Sequence, residues 1–122
     1  MKHILVVDDD ALTLSLIERA LPEFRVTSAQ DGETALALAS QFASLDLLIT
    51  DYLMPSMTGD ELLGRLRETK PGLKALLVSG HGEILARELA GWWEKEAHLS
   101  KPFRVDVLRE TVIRLIGPPD SR

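Results

Sequence analysis

The stretch Leu45-Asp46-Leu47-Leu48-Ile49-Thr50-Asp51-Tyr52-Leu53-Met54-Pro55 is the most informative part of this sequence for the fold. It is a short apolar run that ends at an acid, with a proline four residues later. An apolar run of this length, bounded by turn residues, is typical of a buried central strand. Asp51 then lies where the strand leaves the sheet, which in open α/β sheets is the edge where ligands bind.

Composition limits the classes of function that the chain can have. Its 122 residues can bury the core of one domain without disulfides, and with no cysteine it has neither a thiol nucleophile nor a zinc–thiolate site. No apolar run approaches the roughly 18 residues of a membrane span, and Asp8 to Asp10 follow too soon for a signal peptide. A net charge of −5 disfavours direct binding of nucleic acid. We therefore expect a cytoplasmic domain.

Strand and helix patterns alternate along the rest of the chain. Strands are predicted at residues 4–7, 24–28, 45–50, 73–78 and 97–100, and helices at residues 11–21, around 35–42 and 62–66, from 83 to about 92, and from about 104 to 116. Asp10 and Asp31 are placed to cap helices, and His3 is expected at a strand edge. Five βα units predict a doubly wound parallel sheet covered on both faces, with the flavodoxin-like strand order 2-1-3-4-5.

Polar side chains follow four of the five predicted strands, at Asp8 and Asp9, Asp51, Ser79 and Lys101. Parallel strands end at one edge of a sheet, so these residues can converge. Clustered carboxylates repel one another and need a proton or a cation, and oxygen ligands of this kind suit Mg²⁺. Lysine and serine can bind phosphate oxygens. A carboxylate beside a divalent ion can be the nucleophile in phosphoryl transfer.

These residues resemble, in order and approximate spacing, the motifs of the receiver domains of two-component response regulators (the CheY-like superfamily). The resemblance covers nearly the whole chain. Each motif alone is a weak sign of this family, but the motifs together are specific for it. They are Asp8-Asp9 after Val6-Val7, Asp51 within Leu48-Ile49-Thr50-Asp51-Tyr52-Leu53-Met54-Pro55, Ser79 after Leu76-Leu77-Val78, and Lys101-Pro102-Phe103.

The resemblance implies a phosphoacceptor in two-component signalling or a phosphorelay. Asp51 would accept a phosphoryl group from a histidine kinase or a histidine phosphotransfer protein, and Ser79 and Lys101 would contact that group. Mg²⁺ would be bound by Asp9, Asp51 and the Leu53 backbone carbonyl, with Asp8 acting mainly through water. The domain would not be an enzyme beyond slow self-dephosphorylation. The Lys101–Pro102 peptide is a candidate for the cis form.

The resemblance also implies a switch. Ser79 would move inward on phosphorylation and bias the face made by the fourth helix, fifth strand and fifth helix, where an output domain or target protein would bind. His98 stands where receivers often have Tyr or Phe, so it is either a modified switch residue or an ordinary rim residue. Gly80 leaves room near the phosphoryl group, and Leu53 and His81 occupy positions that tune its lifetime.

Trp92 and Trp93 are adjacent, and neighbouring helical positions point about 100° apart. One is expected in the core. The other is either a surface residue or an anchor for a partner, since Trp is enriched in interface hot spots.

Two other functions are compatible with parts of the sequence. Asp8-x-Asp10 is similar to the motif of haloacid-dehalogenase-type phosphohydrolases, with Asp8 as nucleophile. A phosphorylation-independent interaction module is the other, although such a module has little reason to keep costly clustered carboxylates. We assign residues 1–116 to the receiver domain and residues 117–122 to a tail or the start of a linker.

Overall fold

The computed structural model describes residues 1–80, 82, 87–88 and 90–119. Strands and helices alternate along it in the order β1 (His3–Val7), α1 (Ala11–Ala20), β2 (Arg25–Ala29), α2 (Gly32–Ala39), β3 (Leu47–Thr50), α3 (Gly59–Thr69), β4 (Lys74–Ser79), α4 (Ala90–Lys95), β5 (Ala97–Ser100) and α5 (Val105–Ile116). The strands form one parallel sheet in the order β2-β1-β3-β4-β5. The predicted fold is confirmed.

The central strands β1, β3 and β4 are buried on both faces, which explains their continuous apolar sequences. Because side chains alternate along a strand, each strand contributes to two cores. Ile4, Ile49 and Leu76 pack with α1 and α5 on one face, whereas Leu5 and Leu48 pack with α2 and α3 on the other. Burial of one such side chain contributes about 1.5–3 kcal/mol.

Aspartates cap the first two helices, as the sequence predicts. Asp10 accepts a hydrogen bond from the Leu12 amide at 3.1 Å, and Asp31 accepts one from the Thr34 amide at 2.7 Å. Each cap contributes about 1 kcal/mol by satisfying an amide that has no partner within the helix. The caps fix where the chain turns from the site-bearing edge of the sheet into a helix.

The other end of α1 is held by Arg109 from α5. Its guanidinium donates to the Ala20 carbonyl oxygen at 2.6 Å and to the Glu23 carboxylate at 2.8 Å. A cation at a helix C-terminus is favourable because the last carbonyls have no partner within the helix. This contact joins the two helices on one face of the sheet.

The structure decides which residues of α1 are covered. Leu14 and Ile17 form its inward stripe, whereas Leu12, on the same helix, is 81% exposed. His3 is not a strand-edge residue but is buried: its ring Nε2 lies 2.8 Å from Thr27 Oγ1, and the ring packs on Phe42.

Two helix ends also differ from prediction. Helix α2 ends at Ala39, before Phe42. Helix α4 continues to Lys95, beyond the predicted end near residue 92.

No helix in the described part of the chain combines the length and the apolar content needed to cross a bilayer.

Candidate functional site

The polar residues that follow the strands are placed by the backbone pairing of the sheet. Asp8, Asp51 and Lys101 each lie one residue beyond a strand and continue its hydrogen bonding to the neighbouring strand. The bonds run from Asp8 N to Ala29 O (3.2 Å), from Asp51 N to Val7 O (3.1 Å) and from Lys101 N to Ser79 O (2.9 Å). The register of the sheet therefore brings parts of the chain 50 and 93 residues apart to one edge.

Lys101 joins the two buried carboxylates of this edge. Its Nζ donates to Asp8 Oδ2 at 2.8 Å and to Asp51 Oδ2 at 3.1 Å. Asp8 is 1% exposed and Asp51 is 8% exposed, so both acids are largely removed from water, whereas the Lys101 side chain is 25% exposed. Hydrogen bonds between charged groups are the strong ones, and they fix the position of the ammonium between the two acids.

The second oxygen of each carboxylate accepts a backbone amide. Asp8 Oδ1 accepts from the Asp10 amide at 2.9 Å, and Asp51 Oδ1 accepts from the Tyr52 amide at 2.7 Å. Both acids are therefore held in defined orientations by the turn that follows each strand.

The charges at this edge do not balance. Burial raises the pKa of the Asp8 carboxyl above its ordinary value, although the hydrogen bond from Lys101 acts in the opposite direction. Burial by itself would lower the pKa of Lys101, but the bond to Asp8 and the charge of Asp51 outweigh it, so the pKa of Lys101 is raised. One lysine thus does not offset the burial of the Asp8 carboxylate.

Asp9 adds a third carboxylate to the cluster. Asp8, Asp9 and Asp51 each offer an oxygen, and these oxygens lie within 4.8 Å of one another. Asp9 is exposed, whereas the other two are buried. A set of carboxylate oxygens that is open on one side fits Mg²⁺, which binds a few protein oxygens and keeps several waters. The acids predicted to share a magnesium site are brought together.

The loop that follows Asp51 closes tightly on itself. The Gly59 amide donates to the Tyr52 carbonyl oxygen at 2.8 Å, and a Cβ added at Gly59 would lie 2.3 Å from the Asp51 carbonyl oxygen. Ser56 adopts the left-handed region, with φ of 69°, and Leu53 is 47% exposed. Gly59 was not among the predicted site residues, although a glycine between a turn-rich loop and a helical pattern is a signal for a tight turn or a close backbone approach.

Ser79, the last residue of β4, and Gly80, which follows it, lie beside this cluster. Ser79 is fully buried, and its backbone carbonyl receives the Lys101 amide. A Cβ added at Gly80 would meet no described atom within 4 Å. The Lys101–Pro102 peptide is cis, as expected.

The remaining predicted residues are less closely connected to the acids. His98 is exposed on β5, pairs with Leu77 and places its Nδ1 3.1 Å from the Glu96 carbonyl oxygen. His81 and the side chains of Trp92 and Trp93 lie outside the described residues, although the backbone of both tryptophans belongs to α4.

A groove of about 340 Å³, mainly apolar, lies next to Lys101. It is lined by Thr13, Leu16, Lys101, Pro102 and Phe103, so it runs between α1 and the segment that joins β5 to α5. Leu16, at this groove, and Leu12, one turn earlier on α1, are both exposed apolar side chains.

This chain is similar to known proteins along nearly its whole length. The family model described as the response regulator receiver domain matches residues 4–113. The two-component response regulator ORR11 of Oryza sativa subsp. indica is 35% identical over 106 residues, which cover 84% of this chain and 72% of that protein.

The probable transcriptional regulatory protein TcrX of Mycobacterium tuberculosis is 31% identical over 114 residues, 92% of this chain and 47% of that protein. The chain therefore spans about half the length of this curated relative. Among solved structures, the chemotaxis protein CheY4 of Vibrio cholerae has a TM-score of 0.82 and 27% identity, covering 94% of this chain and 98% of that one.

Proposed function

The chain belongs to the family of response regulator receiver domains, and from this premise we propose that Asp51 is its phosphoacceptor. The chain is a signalling domain of two-component systems. Receivers in such systems interact with histidine kinases and generally bind Mg²⁺ through acidic residues. One observation carries the proposal: the Asp51 carboxylate shares Lys101 with Asp8, and its oxygen lies within 4.8 Å of those of Asp8 and Asp9.

In the proposed reaction, a carboxylate oxygen of Asp51 attacks the phosphorus of a phosphohistidine on a kinase or phosphotransfer protein. The P–N bond breaks as a P–O bond to Asp51 forms. The donor imidazole, which carries a proton on its other ring nitrogen, keeps the electron pair of the P–N bond and leaves as neutral histidine. Lys101, already within 3.1 Å of Asp51 Oδ2, would bind an oxygen of the transferred group. Ser79, at the end of the neighbouring strand, would donate a hydrogen bond from its hydroxyl to another oxygen of the transferred group.

The donor set fits Mg²⁺. Asp9, Asp51 and the Leu53 backbone carbonyl would bind the ion directly, with Asp8 acting through water. When bound, the ion supplies positive charge that neutralises the phosphoryl oxygens. The exposed position of Asp9 and the exposed side chain of Leu53 are compatible with an ion reached from solvent.

The phosphohydrolase alternative is not favoured by the family relationship. Its nucleophile would be Asp8, which is 1% exposed. Asp51 is the more accessible of the two buried acids. A module that works without phosphorylation would have no use for three clustered carboxylates, two of them buried.

The output is proposed to pass through the face of α4, β5 and α5, where a target protein or output domain would bind. Ser79 would move toward the phosphoryl group, with Gly80 giving it room and His98 and His81 adjusting the response. Trp92 or Trp93 would then be a partner anchor, and their fluorescence should change on phosphorylation.

We also propose residues 1–116 as the receiver unit, residues 117–122 being a tail or the start of a linker. The cytoplasmic location stays a prediction of the sequence.

Incubation with acetyl phosphate and Mg²⁺, followed by intact mass measurement, tests the proposed phosphoacceptor. The wild-type protein should gain one phosphoryl group and Asp51→Asn none. Reductive trapping of the acyl phosphate then locates it. A label on Asp8 would instead support the phosphohydrolase, and no label on wild type with any phosphodonor would support the interaction module.

A further inference from the structure

The peptide that joins Asp51 to Tyr52 is hydrogen-bonded on both sides. Its N–H donates to Asp51 Oδ1 at 2.7 Å, and its carbonyl oxygen accepts from the Thr50 hydroxyl at 2.8 Å. A peptide unit is planar, so a contact that orients the carbonyl also sets the direction of the N–H. Thr50 therefore acts on the carboxylate of the next residue through one rigid group.

The same carbonyl is confined by Gly59. A Cβ at that position would lie 2.3 Å from the Asp51 carbonyl oxygen and 3.1 Å from the Tyr52 Cα. The oxygen is thus held between the Thr50 hydroxyl and the backbone at the start of α3. Neither contact involves the reacting atoms directly.

Thr50 has the burial that such a role requires. It is 1% exposed, and its neighbours in the sheet are Val7 and Leu77. Its other polar neighbour, Met54 Sδ, is 3.8 Å away and is a weak acceptor. Among the described residues, the Asp51 carbonyl oxygen is therefore the main acceptor for this hydroxyl. The hydrogen bond polarises the peptide, so that the Tyr52 N–H becomes a better donor.

We propose that Thr50 is a positioning residue that aims the Asp51 carboxylate through the Asp51–Tyr52 peptide. Oδ1 is held by the Tyr52 amide, which leaves Oδ2 directed toward Lys101, 3.1 Å away. Removing the hydroxyl lets the peptide rotate and the carboxylate with it. This inference rests on the proposed role of Asp51 as phosphoacceptor, because only then does its orientation affect a reaction.

The test compares Thr50→Val, which keeps the β-branched shape but has no hydroxyl, with Thr50→Ser, which keeps the hydroxyl. Rates of phosphorylation by acetyl phosphate with Mg²⁺ are measured by intact mass over a range of acetyl phosphate concentrations. We expect the maximal rate of Thr50→Val to fall about tenfold, since small misplacements of reacting groups cost up to about a hundredfold. Thr50→Ser should recover most of the rate, and the half-saturating concentration should change little.

A readout that does not depend on the reaction is the Tyr52 amide proton in NMR spectra of the unphosphorylated protein. Its signal should move upfield in Thr50→Val, because its hydrogen bond to Asp51 lengthens, and return in Thr50→Ser. If Thr50→Val does not fold, Thr50→Ala and Thr50→Ser form a second pair that differs only in the hydroxyl.

The outcomes separate this inference from the proposed function. Equal rates and equal Tyr52 amide shifts in wild type and Thr50→Val would overturn it, as would a loss in Thr50→Ser as large as in Thr50→Val. Phosphorylation that persists in Asp51→Asn would overturn the phosphoacceptor assignment. In that case the Tyr52 amide shift still decides whether Thr50 orients the Asp51 carboxylate.

Discussion

The close approach of Gly59 to the Asp51 carbonyl predicts a large penalty for a single added methyl group. In Gly59→Ala the new Cβ would lie 2.3 Å from that oxygen, whereas ordinary contacts begin at 3.4 Å, so the two backbone segments must separate by about 1.1 Å. Both contacting groups are backbone, and neither can turn away as a flexible side chain could. The start of α3 or the peptide after Asp51 must therefore move.

The magnitude follows from the balance of two effects. Forcing an extra methyl group into a filled site costs about 1–3 kcal/mol. Replacing glycine in a helix gains at most about 1 kcal/mol, and less here because Gly59 is the first residue of α3. We expect a net loss of about 1–2 kcal/mol in the free energy of unfolding, and a melting temperature lower by roughly 3–10 °C.

The assay is urea unfolding followed by circular dichroism, with Gly64→Ala as the matched control. Gly64 lies in the interior of the same helix, and a Cβ there would meet nothing within 4 Å. That variant should gain about 0.5–1 kcal/mol. The reasoning is refuted if Gly59→Ala is as stable as wild type, or if Gly64→Ala loses as much as Gly59→Ala.

Four further predictions concern the acid cluster, a buried histidine, the end of α1 and the exposed Leu53 in the loop after Asp51. Millimolar Mg²⁺ should raise the melting temperature of the wild type, since an ion that binds only the folded state stabilises it, and Asp9→Asn should remove this rise. An equal rise in both proteins would contradict the proposed magnesium site. Burial holds the pKa of His3 below its ordinary value of 6.5, so the unfolded chain binds the proton first and stability should fall as the pH drops below that value. His3→Gln should show a smaller loss between pH 7.5 and 5.5 in urea midpoints, and an identical pH dependence would count against the buried histidine. Arg109→Met, which leaves the carbonyl of Ala20 without its 2.6 Å donor, should lose about 1–3 kcal/mol in urea unfolding. Leu53→Asn should speed loss of the phosphoryl group severalfold, because an exposed amide can orient a water that leucine cannot; an unchanged rate in the purified phosphoprotein would refute this.

Much of the fold was predictable from local patterns. The apolar runs that end at Asp8, Asp51 and Ser79 are central strands because strands buried on both faces need continuous apolar sequence. The helix starts at Asp10 and Asp31 were predictable because a cap satisfies amides only two or three residues away.

Local spacing does not decide which side chains the rest of the fold covers. Leu12 and Leu14 both have helical spacing, yet the sheet covers only Leu14. His3 looked like a strand-edge residue, but Phe42 and Thr27 come from elsewhere in the chain to bury it.

The sequence by itself determined the chemistry of this protein: the acids, the serine and the lysine at strand ends, and through them the family and the edge of the sheet that carries the site. Only the tertiary structure decided that Lys101 joins Asp8 to Asp51, that Thr50 holds the peptide after Asp51, and that Gly59 must lack a side chain. The physical reason is range. Strand and helix signals act over a few residues, whereas these contacts depend on strand register and on how closely one backbone segment approaches another.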